Sequence, residues 1–195
     1  MARTQGSHSE TTGPRIRAAA ETLFARHGYA AVSMRQIAGA VGLQAGALYN
    51  YTPDKQSLLV DLMQRHMEAL MGAWAQEVQG DTALAALEAF ARFHIRFNLA
   101  RRDAVFIAYN ELRNLEPEGF AQIEALRNAY EGELAGILTA GREAGLFQLE
   151  EPRVTTRAVI ALLNGVLTWY RDDGRLSLEE VESLHWQMVR RLVGV

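Results

Sequence analysis

The sequence predicts an all-α protein of about nine helices, and three observations carry that expectation. Apolar residues recur every three to four positions in segment after segment. No stretch alternates apolar and polar residues as a half-buried strand does. Prolines, glycines and two capping patterns, Ser33 with Gln36 and Ser177 with Glu180, punctuate the periodic segments where helices start and stop.

Residues 1–13, MARTQGSHSETTG, are polar and aperiodic and read as a flexible tail. Pro14 suits the first turn of a helix reaching about His27, with Ile16, Ala19, Ala20, Leu23 and Phe24 on its apolar side. Gly28 stops it, and Tyr29 to Val32 link it to Ser33. The capping box at Ser33 starts a second helix, in which Ile37 and Val41 share a face beside Ala38. Gly42 supplies backbone freedom for a tight turn, and Leu43 re-enters the apolar interior. Ala38, Gly39 and Ala40 are small enough to let two crossed helices meet, and Leu48 and Tyr51 continue the buried face of a short third helix.

Pro53 and Asp54 open a longer helix to about Gln79, carrying Leu58, Leu59, Leu62, His66, Leu70 and Trp74. Gly80 breaks the pattern. Asp81 is the expected cap of a helix through Arg101, and Asp103 of another through Leu112. NLEPEG reads as a loop, and Pro117 restarts a helix that Gly145 stops. Pro152 begins a helix ending near Arg171, the run DDG turns the chain, and the last helix runs from Ser177 to about Leu192. The pattern divides into a tail (1–13), a compact module of three short helices (14–55) and a larger helical domain (56–195).

With 195 residues, 49% of them apolar and 22% charged, the chain has the composition of an ordinary globular protein. It holds no cysteine, which excludes disulfides, thiol nucleophiles and thiolate metal sites. No apolar run reaches bilayer-crossing length and no signal-peptide pattern opens the chain, so the expected location is cytoplasmic, with no membrane partner. The five histidines lack metal-ligand spacing, and neither a glycine-rich phosphate loop nor a nucleophile elbow occurs. No catalytic residues, metal or cofactor are therefore expected.

The net charge of −3 hides an asymmetry: residues 1–55 sum to +3 and the remainder to −6. A basic module on an acidic body suits a protein that touches phosphates with one end. Lys55 is the only lysine, placed just after the third helix where an ammonium reaches a phosphate. Residues Ser33 to Lys55, SMRQIAGAVGLQAGALYNYTPDK, thus have the layout of a DNA-reading helix-turn-helix. A helical small-molecule-binding protein or an enzyme without DNA activity is the competing expectation, and the basic module argues against it.

Three segments, FARHGY in the first helix, SMRQIAGAVG, and GALYNYTPDK, resemble the tetracycline-repressor (TetR) family of bacterial transcription regulators over about residues 14–60. The resemblance implies a homodimer that binds a near-palindromic double-stranded operator and releases it when a small ligand enters the C-terminal domain, making 56–195 a ligand-binding and dimerisation domain. It implies that Ser33 bonds a phosphate, that Tyr49 and Lys55 contact the DNA backbone, and that Gln44, Ala45, Gly46 and Ala47 lie where the recognition helix enters the major groove. Arg35 and Asn50 join this DNA-facing set. Gln44, Ala47 and Thr52 depart from the family's usual Ser, Ser or Thr, and aromatic, so details of DNA contact are this chain's own. Tyr49 also has a plain reading as core filler.

In the larger domain, Val159, Leu162, Leu163, Val166 and Leu167 form an apolar stripe on the penultimate helix, with Ala161 and Gly165 permitting close approach. Val181, Leu184, Met188, Val189 and Leu192 form another on the last helix. These helices are the expected dimer interface, centred on Leu162, Gly165, Val166, Leu184 and Met188. Trp74, Phe93, Phe97, Tyr109, Tyr130 and Trp169 are the expected apolar lining of a ligand pocket, with Glu111, Arg127 and Arg171 as polar members; the competing reading of the aromatics is plain core. NELRNL, EALRNAYE and TWYRDDGRLSLEE resemble a branch of the family tied to lipid catabolism, which implies an acyl-CoA, a fatty acid or another long apolar acid as effector.

Overall fold

The first helix, α1 (Gly6–His27), is longer than its sequence suggests. A computed structural model describes the backbone of residues 6–195 and the side chains from Thr11 onward. Thr12 and Ile16, one turn apart, are both buried, so the packed side of α1 begins before Pro14 and the proline lies inside the helix. The expected tail is therefore helical over residues 6–13, and its first five residues lie outside the described ones.

The remaining elements are α2 (Met34–Ala40), α3 (Ala45–Leu48), α4 (Lys55–Trp74), α5 (Ala83–Leu99), α6 (Arg102–Asn110), a 3-10 turn (Leu112–Asn114), α7 (Pro117–Glu143), α8 (Pro152–Asn164), α9 (Val166–Trp169) and α10 (Leu178–Leu192). All regular structure among the described residues is helical, as the periodicity requires. Thr82, rather than Asp81, caps α5 by accepting the Ala85 N–H. Both predicted capping boxes form, at Ser33 and at Ser177. The expected single helix over 152–171 is interrupted at Gly165, and the chain becomes extended at Tyr170. Arg102 reaches this end and donates to the Leu167 and Tyr170 carbonyls, supplying partners that a finished helix lacks.

Two compact units result. One ends at Met67 and also takes in Asp103–Ala125; the other comprises Glu68–Arg102 and Leu126–Val195. The first is larger than the module of residues 14–55, because α6 and the start of α7 return to it. Val105, Ile107, Ala108 and Ile123 are buried beside a core formed by Ile16, Phe24, Ile37, Leu48, Leu59 and Met63. Nothing local in the sequence announces that return.

In the second unit α5 is the central helix. Leu87, Phe90, Phe93, His94, Ile95, Phe97 and Asn98 are all buried, too many for one face, and α8, α9 and α10 pack around it. Gly141 of α7 is needed for close approach: a Cβ there would lie 2.0 Å from the buried Phe147 ring. From α10, the buried Glu182 meets Arg96 at 3.3 Å and Arg92 at 3.8 Å. Burial pushes the Glu182 carboxyl above its ordinary range, with the two guanidiniums pulling it back. Among the described residues no helix is long and apolar enough to cross a membrane.

Because folding raises the Glu182 carboxyl, the native state takes up this proton more readily than the unfolded chain. Its unfavourable contribution is absent at acid pH and grows as pH rises through the carboxylate range. Glu182→Gln is thus expected to be neutral or slightly stabilising near about pH 7 and to lose that advantage toward about pH 4. Melting temperatures across this range check it. A variant melting more than about 4 °C below the parent at neutral pH means that the arginine contacts dominate.

Candidate DNA-reading module and helical body

At the start of α2 the Ser33 hydroxyl oxygen accepts the Gln36 N–H (3.3 Å), while Gln36 Oε1 accepts the Ser33 N–H and hydroxyl proton (both 2.8 Å). Ser33's own donors are therefore engaged, and the donors left to an approaching anion are the next backbone N–H groups of this first turn. Gly42, at φ +73°, turns the chain, and the Leu43 N–H closes back on the Ala38 carbonyl at 2.9 Å. Ile37, Ala38 and Leu48 are buried where α2 and α3 cross.

α3 is a single turn, and this alters one expected position. Tyr51 falls in the turn beyond the helix and is 39% exposed, whereas the neighbouring Thr52 is buried with its hydroxyl on the Asp54 carbonyl. The Tyr51 and Thr52 N–H groups both close on the Leu48 carbonyl, so the chain turns inward at Thr52 instead. Around α3 the outward side presents Gln44, Gly46, Tyr49 and Asn50, all exposed, with Ala45 and Ala47 half-buried between them and Arg35 exposed on α2. Tyr49 is 54% exposed, so its ring stands in solvent rather than filling the core. The Gln44 side chain takes no part in capping α3, and a Cβ at Gly46 would meet nothing within 4 Å.

The link before this module is held from both ends. Lys55 Nζ donates to the carbonyls of Tyr29 (3.0 Å) and Val32 (2.9 Å) and lies 4.2 Å from the Tyr29 ring centroid. The Tyr29 N–H donates to Glu111 Oε1 at 3.1 Å, and the other Glu111 oxygen accepts from Asn114. Gln56 adds a second tie, donating to the Asn114 carbonyl and accepting the Glu116 N–H. Arg15 donates to the Val41 carbonyl next to the turn. Asp54 accepts the Ser57 N–H at 2.7 Å, and that bond holds its carboxyl below the ordinary range. Sequence reading missed Glu111, Gln56 and Arg15 as positioning residues, since their partners lie 82, 58 and 26 residues away.

The expected ligand set is divided by the fold. Tyr109, about 40% exposed, and the buried Glu111 belong to the first unit, where Glu111 has the backbone task just described. Trp74, Phe93, Phe97 and Tyr130 are brought together in the second unit as one run of ring contacts through Phe90. Arg127 is half-buried one turn before Tyr130 on α7. Trp169 is not among them: it is 47% exposed and stacks on His185, and Arg171 is exposed beyond the end of α9. Both lie where α9 ends and the chain becomes extended at Tyr170.

The structure also sorts the apolar stripes of α8 and α10. Val166 is buried, whereas Leu184, Met188 and Leu192, spaced one turn apart, are each more than 40% exposed. On α8, Val154, Ala158 and Ala161 are exposed, with Leu162 and Gly165 half-buried beside them. Among the described residues no group of His, Asp or Glu side chains is arranged to hold a metal ion.

Lys55→Met keeps the stem and removes the ammonium, leaving the Tyr29 and Val32 carbonyls short of a donor. The expected loss is about 1–3 kcal/mol of stability for DNA-free protein, measured by urea denaturation. An unchanged midpoint would show that solvent replaces the ammonium without cost.

Comparison with known proteins agrees with this geometry. Residues 16–62 match the model described as "Bacterial regulatory proteins, tetR family", and residues 80–193, more than half of the chain, match "Tetracyclin repressor-like, C-terminal domain". The HTH-type transcriptional repressor KstR2 of Rhodococcus jostii strain RHA1 is 27% identical over 173 residues, covering 87% of this chain and 85% of that protein. A bacterial regulatory protein of the tetR family from Rhodococcus RHA1 superposes with a TM-score of 0.87 at 26% identity, covering 94% of this chain and 97% of that one. The TetR family regulator PfmR of Thermus thermophilus gives a TM-score of 0.81 at 29% identity over 91% of this chain and 97% of its own. The chain belongs to the TetR family of helix-turn-helix, DNA-binding transcriptional regulators, which are not enzymes.

Proposed function

We propose that this regulator is a repressor that binds a near-palindromic operator as a homodimer and lets go when a small apolar effector enters its second unit. The observation that carries DNA reading is the two-sidedness of α2 and α3: Ile37, Ala38 and Leu48 are buried, while Gln44, Gly46, Tyr49 and Asn50 face solvent. In the proposed complex α3 enters the major groove. The Gln44 carboxamide suits an adenine edge, and Gly46, flanked by Ala45 and Ala47, lets the backbone approach the bases. Arg35, Tyr49, Asn50 and the α2 start at Ser33 meet the phosphate backbone. Lys55 spends two protons on carbonyls and has one left for a phosphate.

The exposed apolar rows of α8 and α10 support the dimer, because a monomer leaves Leu184, Met188, Leu192 and Val154 in water. Leu162 and Gly165 border that surface, and Val166 supports it from inside. The name of the Rhodococcus jostii relative, a transcriptional repressor, supports repression over activation. For the effector we favour an acyl-CoA or another long apolar acid, with Trp74, Phe93, Phe97 and Tyr130 against its apolar part and Arg127 toward its acidic head. Because ligand shifts an equilibrium only through differential affinity, such an effector must bind the DNA-free form more tightly.

Selection from random duplexes should return an inverted repeat. Gln44→Ala should relax preference at one base position per half-site by about 1–3 kcal/mol while retaining most non-specific affinity. Recovery of no preferred sequence by the parent protein would remove the operator reading. Met188→Glu places a charge in the exposed row without touching the protomer core. It should yield a folded monomer in sedimentation at micromolar concentration, where the parent is a dimer; a parent that sediments as a monomer would remove the dimer.

A further inference from the structure

The second unit buries a polar cluster between α5, α7 and α8 among aromatic rings. His94 Nδ1 is 2.9 Å from the Tyr130 hydroxyl, and His94 Nε2 is 3.1 Å from Asn164 Oδ1. Asn98 Nδ2 lies 3.0 Å from Asn164 Oδ1 and 3.0 Å from His94 Nε2. One proton arrangement makes three of these four contacts hydrogen bonds and leaves Asn98 Nδ2 and His94 Nε2 as two donors side by side on one acceptor. Tyr130 donates to Nδ1, while Nε2–H and the Asn98 amide both donate to Asn164 Oδ1, filling its two lone pairs.

That arrangement leaves two atoms over. Asn98 Oδ1 and Asn164 Nδ2 are fully buried and meet no protein partner among the described residues, and Asn98 as a whole is only 2% exposed. Turning both carboxamides over exchanges their roles and still leaves one donor and one acceptor. The two amides share a hydrogen bond, which holds them side by side. A carboxamide edge left unmade in an apolar interior is costly, and Phe90, stacked on both His94 and Tyr130, keeps the surroundings apolar.

We propose that the Asn98–Asn164 pair is the recognition site for one hydroxyl group of an otherwise apolar effector; the inference rests on the effector reading above. A hydroxyl oxygen both accepts and donates from one atom, which is what one orphaned N–H and one orphaned carbonyl require. A ketone or thioester oxygen only accepts, and an ammonium only donates while bringing a buried charge. A site built this way discriminates against the deoxy analogue, whose binding leaves both amides unmade. The pair therefore selects hydroxylated acyl groups over unsubstituted ones of equal length.

Calorimetric titration of the full-length protein with decanoyl-CoA, 3-hydroxydecanoyl-CoA, 10-hydroxydecanoyl-CoA and the two corresponding methyl ethers tests this. One hydroxylated compound should bind at least about tenfold more tightly than both decanoyl-CoA and its own ether, which accepts but does not donate. Asn98→Leu, or Asn164→Ala where the former does not fold, should bring that ratio close to one. Binding of all five with equal affinity overturns the inference and leaves the acyl effector standing. A ratio that persists in a folded variant also overturns it, by placing the hydroxyl elsewhere. Absence of binding by the whole set removes the acyl-effector reading and this inference together. The comparison within the parent protein is decisive even if neither variant folds.

Discussion

The DNA-reading module depends on how the chain is gripped at Tyr29. α2 has seven residues and α3 four, far too short to persist as isolated helices in water, so their geometry must come from tertiary contacts. Lys55 takes the carbonyls at both ends of the Tyr29–Val32 link, Glu111 takes the Tyr29 N–H, and the Phe24 ring packs edge-on against Tyr29 at 5.3 Å. The link enters α2 directly, so fixing it fixes Ser33 and through it the angle at which α3 is presented. Charge-assisted hydrogen bonds to backbone are well suited to this task, since they are directional and strengthen when half-buried. The same contacts explain why the only lysine sits at position 55 better than a phosphate contact alone does.

That grip also ties two distant parts of the chain together. Glu111 and Gln56 fasten the 111–116 segment to the link before α2 and to the start of α4.

The second unit accepts costs that a purely structural core would avoid. Its central helix carries His94 and Asn98 inward among aromatic rings, and α10 buries Glu182 against Arg92 and Arg96. Apolar residues of similar volume would pack there with less penalty. Polar groups placed at such expense give an interior specificity, either for one packing arrangement or for one ligand group. The partly unsatisfied edge of the Asn98–Asn164 pair is where the proposed effector would draw on that specificity.

Much of the protein was legible in the sequence because the governing interactions are local. Helical period, the Ser33 and Ser177 capping boxes, and the turn at Gly42 each depend on residues within four or five positions, so composition and spacing determined the all-α class and the helix-turn-helix. Long-range partnership was decided only by tertiary structure. Glu111 looks like a pocket carboxylate until its partner, 82 residues earlier, is in view. Asn98 shares a face with His94 by simple i, i+4 spacing, but its importance comes from Asn164, which α8 brings alongside. Trp169 and Arg171 lie on an apparently continuous helix that Gly165 interrupts, and α1 extends past Pro14 because Thr12 finds a buried seat. Periodicity tells which side of a helix is buried, and only the packed fold tells what that side meets.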